Sequence, residues 1–518
     1  MPSRSVHPGV AQATAGARAG SLASVTSRPD ACRPGVLVTS RRIAAIAATA
    51  ALTLTGGAFA AQSAAADSSK GKAKNIILLI GDGMGETHVD AASVRYYGAA
   101  GQLAMEQLPV LGSVQTYAVE RGTAVPELVT DSASAATAWS SGVKTYNAAI
   151  GVDSYGAIVP TLMEQAKSAG LRTGNVSTAE ITDATPAAMF SHAALRGCQG
   201  PTYTVESCET IGGQPYLPIA QQIARNNVAD VILGGGNARF TAEDQAIMET
   251  NGYEVLGAFG TTVATGAELA TVTGTDRKVI GLFNTGNMTV EVNKAKGFPT
   301  PAVQAEPSLP EMTTKAIELL SQGKTARRNG FFLQIEGAMI DKRSHANDAA
   351  QTLGEMKAFD DAVAAAVAYA KTDKNTLVIV TADHECAGFN IIGKGSFTNA
   401  EAGAPPINQS GTSSTQTPVR SSNTALDPLR STGAVNGAGS ASATNFAPAT
   451  FRTADDPAEV VDGSPEASLW LTYLSGNHTG ADVPLFSFGR ESDRFVGEQD
   501  NTDLYDQMAA AIGLRVAS

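Results

Sequence analysis

Between Thr130 and Gly142 the chain reads TDSASAATAWSSG. Ser132 stands beside Asp131 at the head of an alanine-rich run, where its hydroxyl has two roles open to it. Serine and aspartate oxygens accept hydrogen bonds from the free N–H groups of a helix start, so the pair reads first as a cap. The hydroxyl is also a nucleophile if something takes its proton. No histidine lies nearby and the pattern G-x-S-x-G is absent, so a Ser-His-Asp triad has no support at this point. A metal ion is the activator that remains.

The rest of the chain offers donors for one. NIILLIGDGMG (75–85) stops at Asp82 between glycines, FFLQIEG (331–337) stops at Glu336, and TLVIVTADHE (376–385) stops at Asp383-His384. A lone acid after a strand is commonly a turn residue or a helix cap. Several apolar runs that all end in ligand-type residues shift that balance. GAMIDKRSH adds Asp341 and His345, whose i, i+4 spacing points both the same way on a helix. The plain alternative is an Asp–His pair on a solvated face. GNHTG adds His478 in a glycine-flanked turn. Imidazole with carboxylate suits Zn²⁺, carboxylate with hydroxyl suits Mg²⁺, and the donors suffice for more than one ion. Two ions roughly 4 Å apart are a device of phosphoryl chemistry, stabilising the attacking and leaving oxygens together. A cation beside Ser132 would lower its pKa, and a helix N-terminus behind it favours an anion there.

These donors need elements to hold them. Apolar runs at 75–81, 331–337 and 376–381, with RTGNVST (172–178), VILGGG (231–236) and LFSFG (485–489), read as buried strands. Helical patterns lie between some of them, including Leu353, Met356, Val363 and Val367 on one apolar face. The expected fold is therefore α/β: a large, mostly parallel central sheet with helices on both faces. Sites in such sheets form at the carboxyl ends of the strands, where Asp82, Glu336 and Asp383-His384 fall. Residues 393–450 are rich in Ser, Thr, Gly, Ala, Asn and Pro and read as a low-complexity surface insertion near the C-terminus.

The chain has 518 residues, 43% hydrophobic and 17% charged, with a net charge of −12. That acidity argues against a nucleic-acid-binding surface, which wants a basic face. It leaves room for small anionic substrates at a locally cationic site. Residues 1–66 read as a leader: Arg41-Arg42, an alanine-rich apolar stretch, and A-x-A sites ending at Ala60 and Ala66, after either of which cleavage is expected. Ser40-Arg41-Arg42 fits a twin-arginine route as well as an ordinary Sec signal. The stretch is too short and alanine-rich for a stable membrane span. The expectation is a secreted or periplasmic protein whose residues 67–518 form one catalytic α/β domain. Cys32 lies in the leader. Cys198 and Cys208 are ten apart, and an exported chain permits a bridge between them.

Taken together, GDGMG, TDSASAATAWSSGVKTYNAAIGVD, TDATPAAMFSHAALRGC, IEGAMIDKRSHAND, TADHE and NHTG resemble the bacterial alkaline phosphatase family in order and in approximate spacing, over about residues 74–395 and 470–515. GDGMG alone would be weak evidence, because related phosphomutases and sulfatases share pieces of it. The resemblance implies that Ser132 becomes phosphorylated. It implies one zinc held by Asp341, His345 and His478, a second held by Asp82, Asp383 and His384, and a magnesium held by Asp82, Thr185 and Glu336. Arg196 matches the arginine that forks onto two phosphate oxygens, with Asp131 orienting it. Asp183 and Lys342 match positions that other branches of the family fill with histidine. Cys198 and Cys208 match a family disulfide.

The function so implied is phosphate-monoester hydrolysis over a broad substrate range, for phosphate scavenging. Its ligands would be small monoesters and inorganic phosphate, and its state a homodimer. A phosphodiesterase or sulfatase of the same superfamily and a non-catalytic phosphate- or metal-binding protein are the alternatives. Cys386 sits where many relatives have a histidine near a zinc. It reads as a ligand, as a tuner of the metal or, preferred here, as a passive buried thiol. His192 reads as structural beside Arg196, His88 as a loop residue, and Trp139 as core.

Overall fold

The sheet that positions the site is built from strands with no polar side. Every residue of β1 (Asn75–Gly81), β7 (Phe331–Gly337) and β8 (Thr376–Thr381) is buried. A strand buried residue after residue must be covered on both faces, the pattern of a parallel sheet sandwiched by helices. In the computed structural model, residues 71–204, 206–208, 216–297, 300–394, 449–464 and 466–514 are described, and all of them lie in the unit Gln62–Ser518. The leader, and the insertion apart from its margins, lie outside the described residues.

The remaining strands of the sheet are β2 (Val110–Gln115), β3 (Arg172–Glu180), β4 (Val231–Gly235), β5 (Tyr253–Leu256), β6 (Lys278–Leu282), β11 (Val483–Gly489) and β12 (Gly497–Asp500). A separate ribbon pairs β9 (Glu385–Cys386) with β10 (His478–Thr479). Among the described residues the ten-stranded order is β12-β2-β11-β8-β1-β7-β3-β4-β6-β5. All pairings are parallel except those of β11, which runs against both β8 and β2. Mostly parallel strands with intervening helices agree with the α/β reading of the sequence.

Register does the positioning. Ile80 lies opposite Glu336 on one side and Thr381 on the other, and Ser177 of β3 lies opposite Glu336 in turn. Asp82 is two residues beyond Ile80, and Asp383 two beyond Thr381. The sheet therefore delivers Asp82, Glu336 and Asp383 to one edge at similar height.

Five helices matter to the site: α1 (Glu86–Tyr97), α2 (Ser132–Ser141), α3 (Ala184–Ala187), α4 (Met339–His345) and α5 (Ala349–Thr372). All ten residues of α2 are buried. Alanine and serine make that possible, because small side chains let a helix lie close to its neighbours. Trp139 of α2 is fully buried and donates its indole N–H to Gln334 Oε1 at 3.3 Å, so it is core. Leu353, Met356, Val363 and Val367 are all buried on α5. Cys198 and Cys208 form a disulfide. Closing so short a loop is worth about 2–3 kcal/mol, and it tethers the segment that carries Arg196.

Candidate active site

Ser132 is the first residue of α2, and Asp131 is the cap. Asp131 Oδ1 accepts from Ser134 N at 3.0 Å, from Ser134 Oγ at 2.9 Å and from Ala148 N at 3.0 Å. Capping is thus the aspartate's work, worth about 1 kcal/mol, and the serine hydroxyl is left for another partner. Ser132 Oγ lies 3.3 Å from His384 Nε2. The two readings of the opening motif divide between adjacent residues.

Asp131 turns its other oxygen to Arg196, whose Nη1 is 3.1 Å away. Arg196 Nη2 donates to Asp183 Oδ1 at 2.8 Å, and Lys342 Nζ donates to Asp183 Oδ2 at 2.9 Å. Burial alone would push the Asp183 carboxyl up. The cations of Lys342 and Arg196 more than reverse that, and hold it well below the usual carboxylate range. Both cations are in turn held firmly charged, above their ordinary values, by Asp183 and its acidic neighbours. A guanidinium has five N–H donors, so two ion-pair contacts leave donors to spare for an anion.

Two groups of donors flank this array. Ligand atoms of Asp82, Asp383 and His384 lie within 4.8 Å of one another, and so do those of Asp341, His345, His478 and Cys386. In the second group His345 Nδ1 is 2.6 Å from Gly476 O and His478 Nδ1 is 2.9 Å from Thr130 O. A carbonyl only accepts, so in each ring Nδ1 carries the proton and Nε2 presents a lone pair. Yet the two Nε2 atoms face each other at 3.1 Å, with Asp341 Oδ1 at 3.3 and 3.5 Å. Two lone pairs and a carboxylate converging on one point call for a cation. Burial raises Asp341, but the imidazoles of His478, His345 and His384, when charged, hold it well below its ordinary range.

The first group tells the same story through its orphans. Asp82 Oδ1, Asp383 Oδ2, Thr185 Oγ1 and Asp341 Oδ1 are buried without a hydrogen-bond partner among the described residues. Buried polar atoms are seldom left so. Burial, with Asp383, Asp341 and Glu336 nearby, pushes Asp82 well above its usual range. Glu336 is pushed to about 7, mainly by burial, although Ser177 Oγ donates to its Oε2. Acids that resist ionising in the protein alone would ionise against divalent cations, so the residues present fit the metals that the sequence motifs imply.

The second group opens into a cavity of about 460 Å³, lined by Ser132, Arg196, Lys342, His345, His478 and Asn477 among others. The sequence profile of the alkaline phosphatase family matches residues 73–514. The chain belongs to the alkaline phosphatase family. It is accordingly an enzyme, a metal-dependent hydrolase of phosphate esters. It is 38% identical over 477 residues to the alkaline phosphatase of Escherichia coli (strain K12), covering 86% of this chain and 87% of that one. It is 37% identical over 477 residues to the alkaline phosphatase of Escherichia fergusonii, covering 86% of each. Among solved structures it is similar to the alkaline phosphatase of the Antarctic bacterium TAB5, with a TM-score of 0.58 and 27% identity over 86% of this chain and 99% of that one.

Several positions differ from expectation or escaped it. His88 is not a loop residue: it sits in the first turn of α1, fully buried. It accepts from Gly85 N at 3.2 Å, lies 3.1 Å from Ser344 Oγ and packs on Phe389. Burial pushes its pKa down to about 3, so it is neutral. His192 is structural, but its partners are Gly151 O at 2.7 Å and Glu164 Oε1 at 3.1 Å. Asn147 was missed. Its Oδ1 accepts from Asp131 N and its Nδ2 donates to Val129 O, which fixes the capping turn from outside. Ser177 was missed too, although a hydroxyl on a strand neighbouring Glu336 was a readable signal.

Proposed function

We propose that the chain is an exported phosphomonoesterase that works through a phosphoserine on Ser132, with two zinc ions and one magnesium ion. Asp341, His345 and His478 would hold one zinc, Asp82, Asp383 and His384 the other, and Asp82, Thr185 and Glu336 the magnesium. A structure of a mutant TAB5 alkaline phosphatase is described with Mg bound, which supports magnesium as one of the ions. When bound, the ions supply positive charge that lowers the pKa of the serine hydroxyl and neutralises charge on the departing oxygen.

The chain's own groups do the rest. Arg196, steered by Asp131 and Asp183, grips two non-bridging oxygens of a terminal phosphate with paired charge-assisted bonds. Ser132 Oγ, at the positive end of α2, forms a bond to phosphorus as the bond to the leaving oxygen breaks. Water then attacks the phosphoserine, releases inorganic phosphate and returns the hydroxyl. Asp183, itself paired with Lys342, holds the guanidinium in place. The open cavity asks little of the leaving group, which supports a broad range of monoesters and a scavenging role. Residues 1–66 are read as the export leader and residues 67–518 as the catalytic domain. Sequencing the N-terminus of the secreted product tests cleavage after Ala60 or Ala66, and sedimentation tests a homodimer.

The single observation that carries the reading is Ser132, its Oγ 3.3 Å from the buried His384 Nε2, lining one cavity with Arg196, Asp341, His345 and His478. Purified mature protein should release p-nitrophenol from p-nitrophenyl phosphate far faster than from bis(p-nitrophenyl) phosphate. Ser132→Ala should lower that turnover at least about 10³-fold. Wild-type turnover by the variant would end the serine assignment, and faster diester cleavage would favour a diesterase.

A further inference from the structure

Cys386 is the free cysteine among the described residues, and it is fully buried. We propose that its sulfur is a fourth protein ligand of the ion held by Asp341, His345 and His478. The proposal rests on the metal reading given above and specifies its donor set.

Backbone geometry drives the sulfur into the group. In the ribbon β9–β10, Cys386 pairs directly with His478. Directly opposed residues of an antiparallel pair project to the same face. Cys386 N also donates to Gly83 O at 3.0 Å. Gly83 has φ +74°, and a Cβ there would come within 2.8 Å of Cys386 Cβ and 2.9 Å of Asp341 Cα. The glycine next to Asp82 therefore lets the thiol and the Asp341 helix close on each other. The outcome is a four-membered set of ligand atoms, the sulfur included, all within 4.8 Å of one another. The hydrogen bond described for the sulfur, to Asp341 O, is 3.7 Å long. An independent observation points to a ligand at the same place: Asp341 Oδ1, on a residue only 5% exposed, has no hydrogen-bond partner among the described residues.

Charge balance favours sulfur in this group. The neighbouring group has two carboxylates, Asp383 and the Asp82 it shares with the proposed magnesium, whereas this group has Asp341 alone to set against a divalent cation. Uncompensated buried charge is costly. On binding, the S–H bond breaks heterolytically, its electron pair bonds the cation, and the proton leaves to solvent, with nothing oxidised or reduced. A thiolate also biases the site toward soft ions such as zinc, cobalt and cadmium over magnesium.

Cobalt reports on the sulfur directly. Metal-free full-length protein loaded with Co²⁺ should show visible d–d bands together with a near-ultraviolet sulfur-to-cobalt charge-transfer band. Cys386→Ser, with an unchanged circular dichroism spectrum, should keep the d–d bands, lose the charge-transfer band and bind zinc about 10- to 100-fold more weakly at one site. Visible bands without charge transfer in the wild-type protein would overturn the proposal. So would a charge-transfer band that survives the substitution, since it would belong to another thiol. Either result, with p-nitrophenyl phosphate turnover intact, leaves the phosphatase reading standing. A protein that binds no cobalt at all would overturn both.

Discussion

The two donor groups are built from different materials. Asp82, Asp383 and His384 follow the ends of adjacent parallel strands and are at most 3% exposed. Asp341, His345 and His478 come from a seven-residue helix and a two-residue ribbon, and the His345 side chain is 38% exposed. One group is set by sheet register and cannot shift without moving the core. The other faces the cavity from the end of a short helix and a ribbon, with His345 open to solvent. A rigid inner group suits the nucleophile, whose oxygen must start from one place. On the function proposed above, a more open outer group would suit the departing oxygen of varied substrates.

Breaking each group in turn tests that division. Asp383→Asn should lower kcat about 10⁴-fold with no rescue by added zinc. His345→Ala should lower it about 10²-fold, with partial rescue at high zinc. Equal losses with equal rescue, measured on p-nitrophenyl phosphate, would erase the distinction.

Stability of the chelated protein sharpens the comparison through charge. Glu336 titrates near 7 in the fold and near 4.5 when unfolded. The metal-free fold thus binds the extra proton between those values and loses stability as pH rises through them. Glu336→Gln should stabilise the metal-free protein by about 3 kcal/mol at pH 8 and hardly at all at pH 4. Asp341 is held low instead, so its carboxylate adds stability above about pH 4 that fades as pH falls below that value. Asp341→Asn should therefore destabilise the metal-free protein at pH 6, where His478, with its raised pKa, carries a proton. Urea midpoints at these pH values read both signs, and the same sign for both variants would contradict the contrast.

Arg196→Lys probes the side of the substrate away from either group. One ammonium cannot reproduce a two-point grip, and kcat/KM for monoesters should drop about 10²-fold with metal content unchanged. The smallest effect is expected at Asn147→Ala, which loosens Asp131 and should cost about tenfold in kcat/KM with the same metal content. A loss of bound zinc in either variant would mean that the phosphate grip and the donor groups are not separable.

Much of this contrast was legible before the fold was known. Strands ending at Asp82, Glu336 and Asp383 could be read because buried parallel strands are apolar throughout and stop abruptly. The pairing of Asp341 with His345 could be read from helical period. The partners that fix ring orientation could not, because Gly476 O and Thr130 O are backbone atoms with no sequence signature. His88 was misread for a related reason. Burial was decided by Phe389 and Ser344, far away along the chain. Nor could the closeness of Cys386 to His478 be read, since it depends on a two-residue ribbon formed across a long stretch of chain.

The reversed strand β11 carries a consequence for how the last histidine arrives. Because β11 runs opposite to its neighbours, it begins beside Thr381, at the rim where the donors gather, and His478 lies just upstream of that beginning. Had it run with the others, its start would lie at the far rim, about 20 Å away across seven residues of extended chain. A return of direction so late in the polypeptide is therefore what allows a terminal segment to complete a constellation begun some four hundred residues earlier. Circular permutants that cut between β10 and β11 should uncouple folding of the sheet from completion of the outer group.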